Sequence, residues 1–136
     1  EYGRGVIVLV TDPRHKKGKR RFLVRAKAEP GNAALGCVAL APTIQCSKSN
    51  LEQAHGGTRP PRVELLDGKE IKWISILQDG GKFFKKINYY HILSCAPPEL
   101  GVLGPDERWF TRGELREAFF AGVVNSHLAE VLGLLI

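Results

Sequence analysis

Apolar residues in this chain fall into short runs separated by charged or glycine- and proline-rich stretches, and the period of each run predicts an element. Gly5 to Val10 is a continuous apolar run rich in β-branched residues, the pattern of a buried strand. Arg21 to Lys27 alternates: Arg21, Arg25 and Lys27 recur at odd positions, with Phe22, Val24 and Ala26 between them, which predicts a strand with one wet face. A Pro-Gly step at Pro30-Gly31 predicts a type II turn, where the second residue takes positive φ. Further strands are predicted over Gly36–Leu40, Val63–Leu66 and Trp73–Leu77, with turns at Asp67-Gly68 and Asp79-Gly80-Gly81. A long strand follows over Phe83–Leu93. Neither of its faces is uniformly apolar, so part of it is expected to meet a ligand or partner.

The pattern changes in the last third. Thr111 and Glu114 have the spacing of a capping box, and Leu115, Ala118 and Phe119 form a helical stripe behind it. Asn125 is placed to cap a second helix carrying Leu128, Val131, Leu132 and Leu135. Strands first and helices last predict an α+β domain, with C-terminal helices packed on a mixed or antiparallel sheet. At 136 residues the chain has the length of a single domain, residues 1–136.

Composition narrows the function classes. No apolar run approaches a membrane span, and the N-terminus lacks a signal-peptide pattern. Cys37, Cys46 and Cys95 are an odd set without a C-x-x-C pair, which points away from a disulfide framework or zinc site and toward a reducing cytoplasm. A formal net charge of +6 suggests an anionic partner, and much of it sits in Arg14–Arg21. That run lies between two strands and holds no aromatic residue, so it is read as a solvated hairpin tip first and a phosphate-steering patch second. Nucleic acid is not the expected partner. Dinucleotide-binding, P-loop, nucleophile-elbow and H-E-x-x-H signatures are all absent, and the four histidines show no ligand spacing.

One stretch, Ala41 to Gly57, is dense in Thr, Gln, Lys, Ser, Asn, Glu and His and has no clean period, which predicts a loop able to carry binding chemistry. With its neighbours it forms a series of spaced motifs: Glu29-Pro30-Gly31-Asn32, then Pro42-Thr43-Ile44-Gln45, then Ser49-Asn50 leading to His55-Gly56-Gly57. Ile76-Leu77-Gln78, Phe84 and Asn88 follow, and Arg108-Trp109-Phe110-Thr111 with Leu115 and Val124-Asn125 closes the series. This series resembles the NDP-hexose 2,3-dehydratases across nearly the whole chain.

The resemblance implies a Nudix-like unit, one of the two usually found in tandem. It also implies a small-molecule substrate of the nucleotide-sugar class and a homodimer regenerating the paired arrangement. Metal-dependent pyrophosphate hydrolysis is not implied, because Ala118, Phe119 and Phe120 stand where a second pair of helix glutamates would be needed. Removing water across C2–C3 of a 4-ketosugar takes a base, enolate donors and an acid, with the carbonyl as electron sink and no cofactor. His55, Glu29 and Asn50 are the catalytic candidates. Gln45, Lys48, Gln78, Lys86, Asn88, Arg25 and Lys27 are the substrate-binding ones, with the cations suited to a diphosphate. The chain departs from the family pattern at Lys48, Leu51 and Ala129. Those departures favour, as alternatives, a diverged lyase, isomerase or cyclase on another metabolite, or a binding or assembly module without chemistry.

Overall fold

The computed structural model describes residues 4–16, 19–28, 38–47, 60–80 and 83–133. Its strands are β1 (Arg4–Thr11), β2 (Arg21–Ala28), β3 (Val38–Ala41), β4 (Ile44–Ser47), β5 (Ile74–Gly80), β6 (Phe83–Ser94) and β7 (Glu107–Thr111). The helices are α1 (Pro97–Leu100), α2 (Arg112–Phe120) and α3 (Ser126–Gly133). The fold class is α+β, as the order of patterns predicts. Two compact units divide the chain: Glu1–Val8 with Ile44–His91, and Leu9–Thr43 with Ile92–Ile136. No helix among the described residues is long and apolar enough to cross a membrane.

In the second unit, β2 is the hub. Its Arg21–Arg25 segment pairs antiparallel with β7, its Phe22 and Leu23 pair with Thr11 and Val10 of β1, and its Arg25–Ala28 segment pairs with β3. The two partners on one edge succeed each other because β1 leaves β2 after Val10. Thr43 sits at that fork. Its hydroxyl accepts from the Val10 N–H at 2.9 Å and donates to the Leu23 carbonyl, so both backbone groups are satisfied where the ladder parts. Thr43 is fully buried, and its place in the Pro-Thr-x-Gln motif therefore has a structural cause.

The helices of this unit form as the sequence predicts. Thr111 Oγ1 accepts from the Glu114 N–H at 3.1 Å while Glu114 Oε1 accepts from the Thr111 N–H at 2.9 Å, a complete capping box. At the other end of α2, Val123 donates to the Ala118 carbonyl and Gly122 to that of Phe119, closing a Schellman turn. Gly122 takes φ 74° there, a conformation that favours glycine. Asn125 Oδ1 accepts from the Leu128 N–H at 2.8 Å and caps α3. The start of α3 is tied to β3 by a parallel bridge between Leu40 and Val124, and Leu115, Leu128 and Val131 bury the inner faces.

The first unit holds Gly5–Val8 of β1 paired antiparallel with β4, and β5 paired antiparallel with β6 across the predicted hairpin. Val6 to Val10 are all 2% exposed or less, which is why β1 reads as a continuous apolar run and not as an alternation.

Three expectations change. Ile44–Ser47 is a strand and not part of a loop, because the β1 ladder organises a segment that has no period of its own. Val63–Leu66 is a 3-10 turn and not a strand: Arg62 takes φ 69°, and Leu65 and Asp67 each donate three residues back. The wet face of β2 is interrupted: Leu23, assigned by alternation to that face, is fully buried between the partly exposed Arg21 and Arg25, while Ala26 on the opposite face is exposed.

Candidate functional site

One face of the first unit's strands carries two of the predicted site residues, Gln45 and Asn88. Gly5 is the register partner of Ser47 and Ile7 that of Gln45, so these four residues share one face. Asn88 of β6 belongs to the same face. A Cβ on Gly5 would collide with Asn88 Oδ1, so the glycine is what admits the amide. Gln45 is half-buried and Asn88 is fully buried, on separate strands beside β1. The Asn88 Nδ2 lies 3.4 Å from the Tyr90 hydroxyl, and its Oδ1 is buried with no hydrogen-bond partner among the described residues. Complete burial changes the expected role of Asn88. It has no exposed surface of its own and stands as a buried polar group on the face that Gln45 shares.

The other candidates divide into three groups. His55, Glu29, Asn50 and Lys48 lie outside the described residues. Gln78 and Lys86 are backbone register partners across the β5–β6 hairpin, so the fold brings these two candidates opposite each other. Arg25 and Lys27 belong to β2, where Arg25 Nε lies 3.4 Å from Asp106 Oδ2 and the Arg25 side chain is 19% exposed. The Arg25 charge is thus already engaged by a carboxylate.

Sequence reasoning missed Asp12. Its carboxylate is fully buried and gathers the basic run around it. Oδ1 accepts from the Arg14 backbone N–H and Nε, both at 3.1 Å; Oδ2 accepts from Arg14 Nη2 at 3.1 Å and Arg21 Nη2 at 3.2 Å. His15 Nε2 is 3.8 Å from Oδ2. The Arg14 side-chain hydrogen bonds, opposed by burial and helped by the Arg14 backbone and Arg21, push the Asp12 pKa down to about 2. Arg21 also lies over the Trp109 ring at 5.6 Å. The tip is therefore less of a free cationic patch than its composition suggests, although Lys16 and Lys19 remain exposed. A buried acid one residue after an apolar strand and two before an arginine is the signal that was available.

A groove of 420 Å³ lies between α2 and α3, lined by Arg112, Leu115, Arg116, Phe119, Phe120, Ala129, Leu132 and Gly133. It contains none of the predicted site residues and no titratable group beyond its two arginines, so volume alone does not make it the reaction site. Among the described residues no cluster of three or more His, Cys, Asp or Glu has the arrangement of a metal site.

Comparison with known proteins places this chain in a family. Over 104 residues the chain is 36% identical to dTDP-4-dehydro-6-deoxy-alpha-D-glucopyranose 2,3-dehydratase of Amycolatopsis orientalis, a match covering 74% of this chain and 21% of that protein. The enzyme of the same name from Saccharopolyspora spinosa is 37% identical over 102 residues, 72% of this chain and 20% of the relative. That of Streptomyces violaceoruber is 32% identical over 120 residues, 85% of this chain and 26% of the relative. The chain thus spans about a fifth to a quarter of the curated relatives it matches. Among solved structures, a chain of the complex between the C-terminal domain of mouse MUTYH and human PCNA has the same fold. The TM-score is 0.59 at 12% identity, over 99% of this chain and 87% of that one. The sequence model described as NDP-hexose 2,3-dehydratase matches residues 1–135. With the family match over almost its full length, the chain belongs to the NDP-hexose 2,3-dehydratase family.

Proposed function

We propose that this chain carries out, or forms the catalytic unit for, the 2,3-dehydration of an NDP-4-keto-6-deoxyhexose. The observation that carries this reading is the family match over residues 1–135, shared with relatives whose names specify that reaction. The chemistry asks for little beyond side chains. The C4 carbonyl acidifies the proton on C3; a base removes it, and the electrons move into the carbonyl as an enolate. They return to expel the C2 hydroxyl, which leaves as water once an acid supplies a proton. The carbonyl is the electron sink, so the reaction needs no redox cofactor.

In this proposal His55 serves as base or acid. Asn50 and Gln45 donate to the enolate or to sugar hydroxyls. Lys48, Gln78 and Lys86 hold the diphosphate end. Asn88, buried on the same face as Gln45, acts as a positioning residue. We further infer a Nudix-like unit that pairs with a second copy of itself in the cytoplasm.

The direct test incubates the purified chain with the nucleotide-linked 4-keto-6-deoxyhexose and follows the mass of the sugar. Loss of one water supports the reading; unchanged substrate at high enzyme concentration removes it. Light scattering that gives a monomer throughout would remove the paired-unit inference alone.

A further inference from the structure

The groove between α2 and α3 is opened by residue size and is polar at one end only. On α3, Ala129 and Gly133 stand four residues apart on one face, and a Cβ at Gly133 would meet no atom within 4 Å. On α2, Leu115 and Phe119 face that floor at the same spacing. Phe119 and Phe120 are 48% and 78% exposed, so the wall carries apolar surface that the fold leaves in water. Arg112 opens α2, and Phe119 follows seven residues later, about 10 Å along the axis. Arg116, one turn after Arg112, is exposed, and its guanidinium has no ion-pair partner among the described residues. No carboxylate, hydroxyl or amide side chain lines the groove.

We propose that this groove binds a medium-chain alkyl carboxylate, its head on the arginine end and its tail between Phe119 and the Ala129–Gly133 floor. Length, charge and lining together select this class. An alkyl acid of about ten carbons spans the distance from Arg112 to Phe119, and 420 Å³ is the size of a small-molecule site. A carboxylate matches the planar guanidinium fork of Arg116. Sugar hydroxyls need acceptors as well as donors, and here they would lie against leucine and phenylalanine with none. A second copy docked through the same face would set arginines where an anion is needed. The inference goes beyond the dehydratase reading and does not rest on it, since no residue assigned to that reaction lines the groove.

Isothermal titration calorimetry of the purified chain at pH ~7.5, where the acid is ionised, tests this with decanoate, decanol and acetate. The expected result is saturable binding of one decanoate per chain, about tenfold weaker binding of decanol, and none of acetate. Arg116→Gln removes an exposed charge and leaves the apolar walls in place. It should weaken decanoate about tenfold and leave decanol unchanged, which brings the two ligands to similar affinity. Ala129→Leu and Gly133→Leu each fill the floor from α3, and each should abolish binding of both ligands.

If neither filled variant folds, the unaltered chain locates the ligand by NMR. Nuclear Overhauser contacts between the decanoate methyl and the Phe119 and Phe120 ring protons support the site, and their absence at saturating ligand overturns it. Failure to bind decanoate, equal affinity for decanol, or an Arg116→Gln chain that binds decanoate as tightly as wild type also overturns the proposal. So does decanoate binding that survives in a folded Ala129→Leu or Gly133→Leu chain. Binding to phosphatidylglycerol vesicles without binding of monomeric decanoate would assign the face to a membrane instead, and self-association abolished by Ala129→Leu, again without decanoate binding, would assign it to a second copy. Either result overturns the proposal and leaves the dehydratase reading standing.

Discussion

Asp12→Asn tests whether the basic tip is organised by one buried carboxylate. The substitution keeps the shape and one oxygen acceptor but removes the charge that four N–H donors share. The wild-type pKa falls from 3.8 to about 2, and at ~1.4 kcal/mol per unit that sets a ceiling of about 2.5 kcal/mol. The Arg14 and Arg21 side chains are 49% and 36% exposed, so solvent screening reduces the expected loss to about 1–1.5 kcal/mol.

The sign follows from the depressed pKa. The contribution is fully present above the ordinary carboxylate value and disappears as pH falls through 3.8 toward about 2. Urea denaturation of wild type and variant at a series of pH values measures it. The two should differ by about 1–1.5 kcal/mol at pH ~6 and converge near pH ~2. Equal stability at pH ~6 would refute the clamp, and a gap undiminished at pH ~2 would show that the loss is not electrostatic.

Thr43→Val removes the hydroxyl at the β1–β2 fork while keeping its volume. With the Val10 N–H and the Leu23 carbonyl left buried and unpaired, unfolding free energy should drop by about 3 kcal/mol, read from the urea midpoint; a loss under ~0.5 kcal/mol would mean that the fork does not depend on it. Gly5→Ala should cost about 1–3 kcal/mol by overpacking against Asn88 Oδ1. Asn88→Ala in the same chain should return part of that loss, and strict additivity of the two would contradict the contact.

Legibility followed local physics. The capping box at Thr111 and Glu114 and the Asn125 cap are written in short-range spacing, so both helices were readable. The β-branched run of β1 was readable because full burial leaves an unbroken apolar string. What could not be read was set by partners distant in sequence. Ile44–Ser47 becomes a strand through β1, nearly forty residues earlier, and nothing in those four residues announces it. Val63–Leu66 has the composition of a strand, yet Arg62 in the left-handed region and the turn at Asp67-Gly68 leave room only for a 3-10 turn. Gln45 and Asn88 came from the family motifs. Their shared face could be known only from the Ile7–Gln45 register and the approach of Asn88 to Gly5, and the burial of Asn88 only from the folded chain. Asp12 was overlooked because the six cations after it dominate the composition, whereas the geometry makes that single acid their centre.

The central claim is that this chain serves a 2,3-dehydration. The measurement closest to it is proton NMR of the 4-keto-6-deoxy nucleotide sugar incubated in D2O with the wild-type chain and with His55→Gln. The wild type should remove the C2 hydroxyl, with deuterium appearing at C2 as the resulting enol closes to the ketone. The folded His55→Gln chain should do so at least about a hundredfold more slowly. A substrate spectrum unchanged by the wild-type chain would contradict the account.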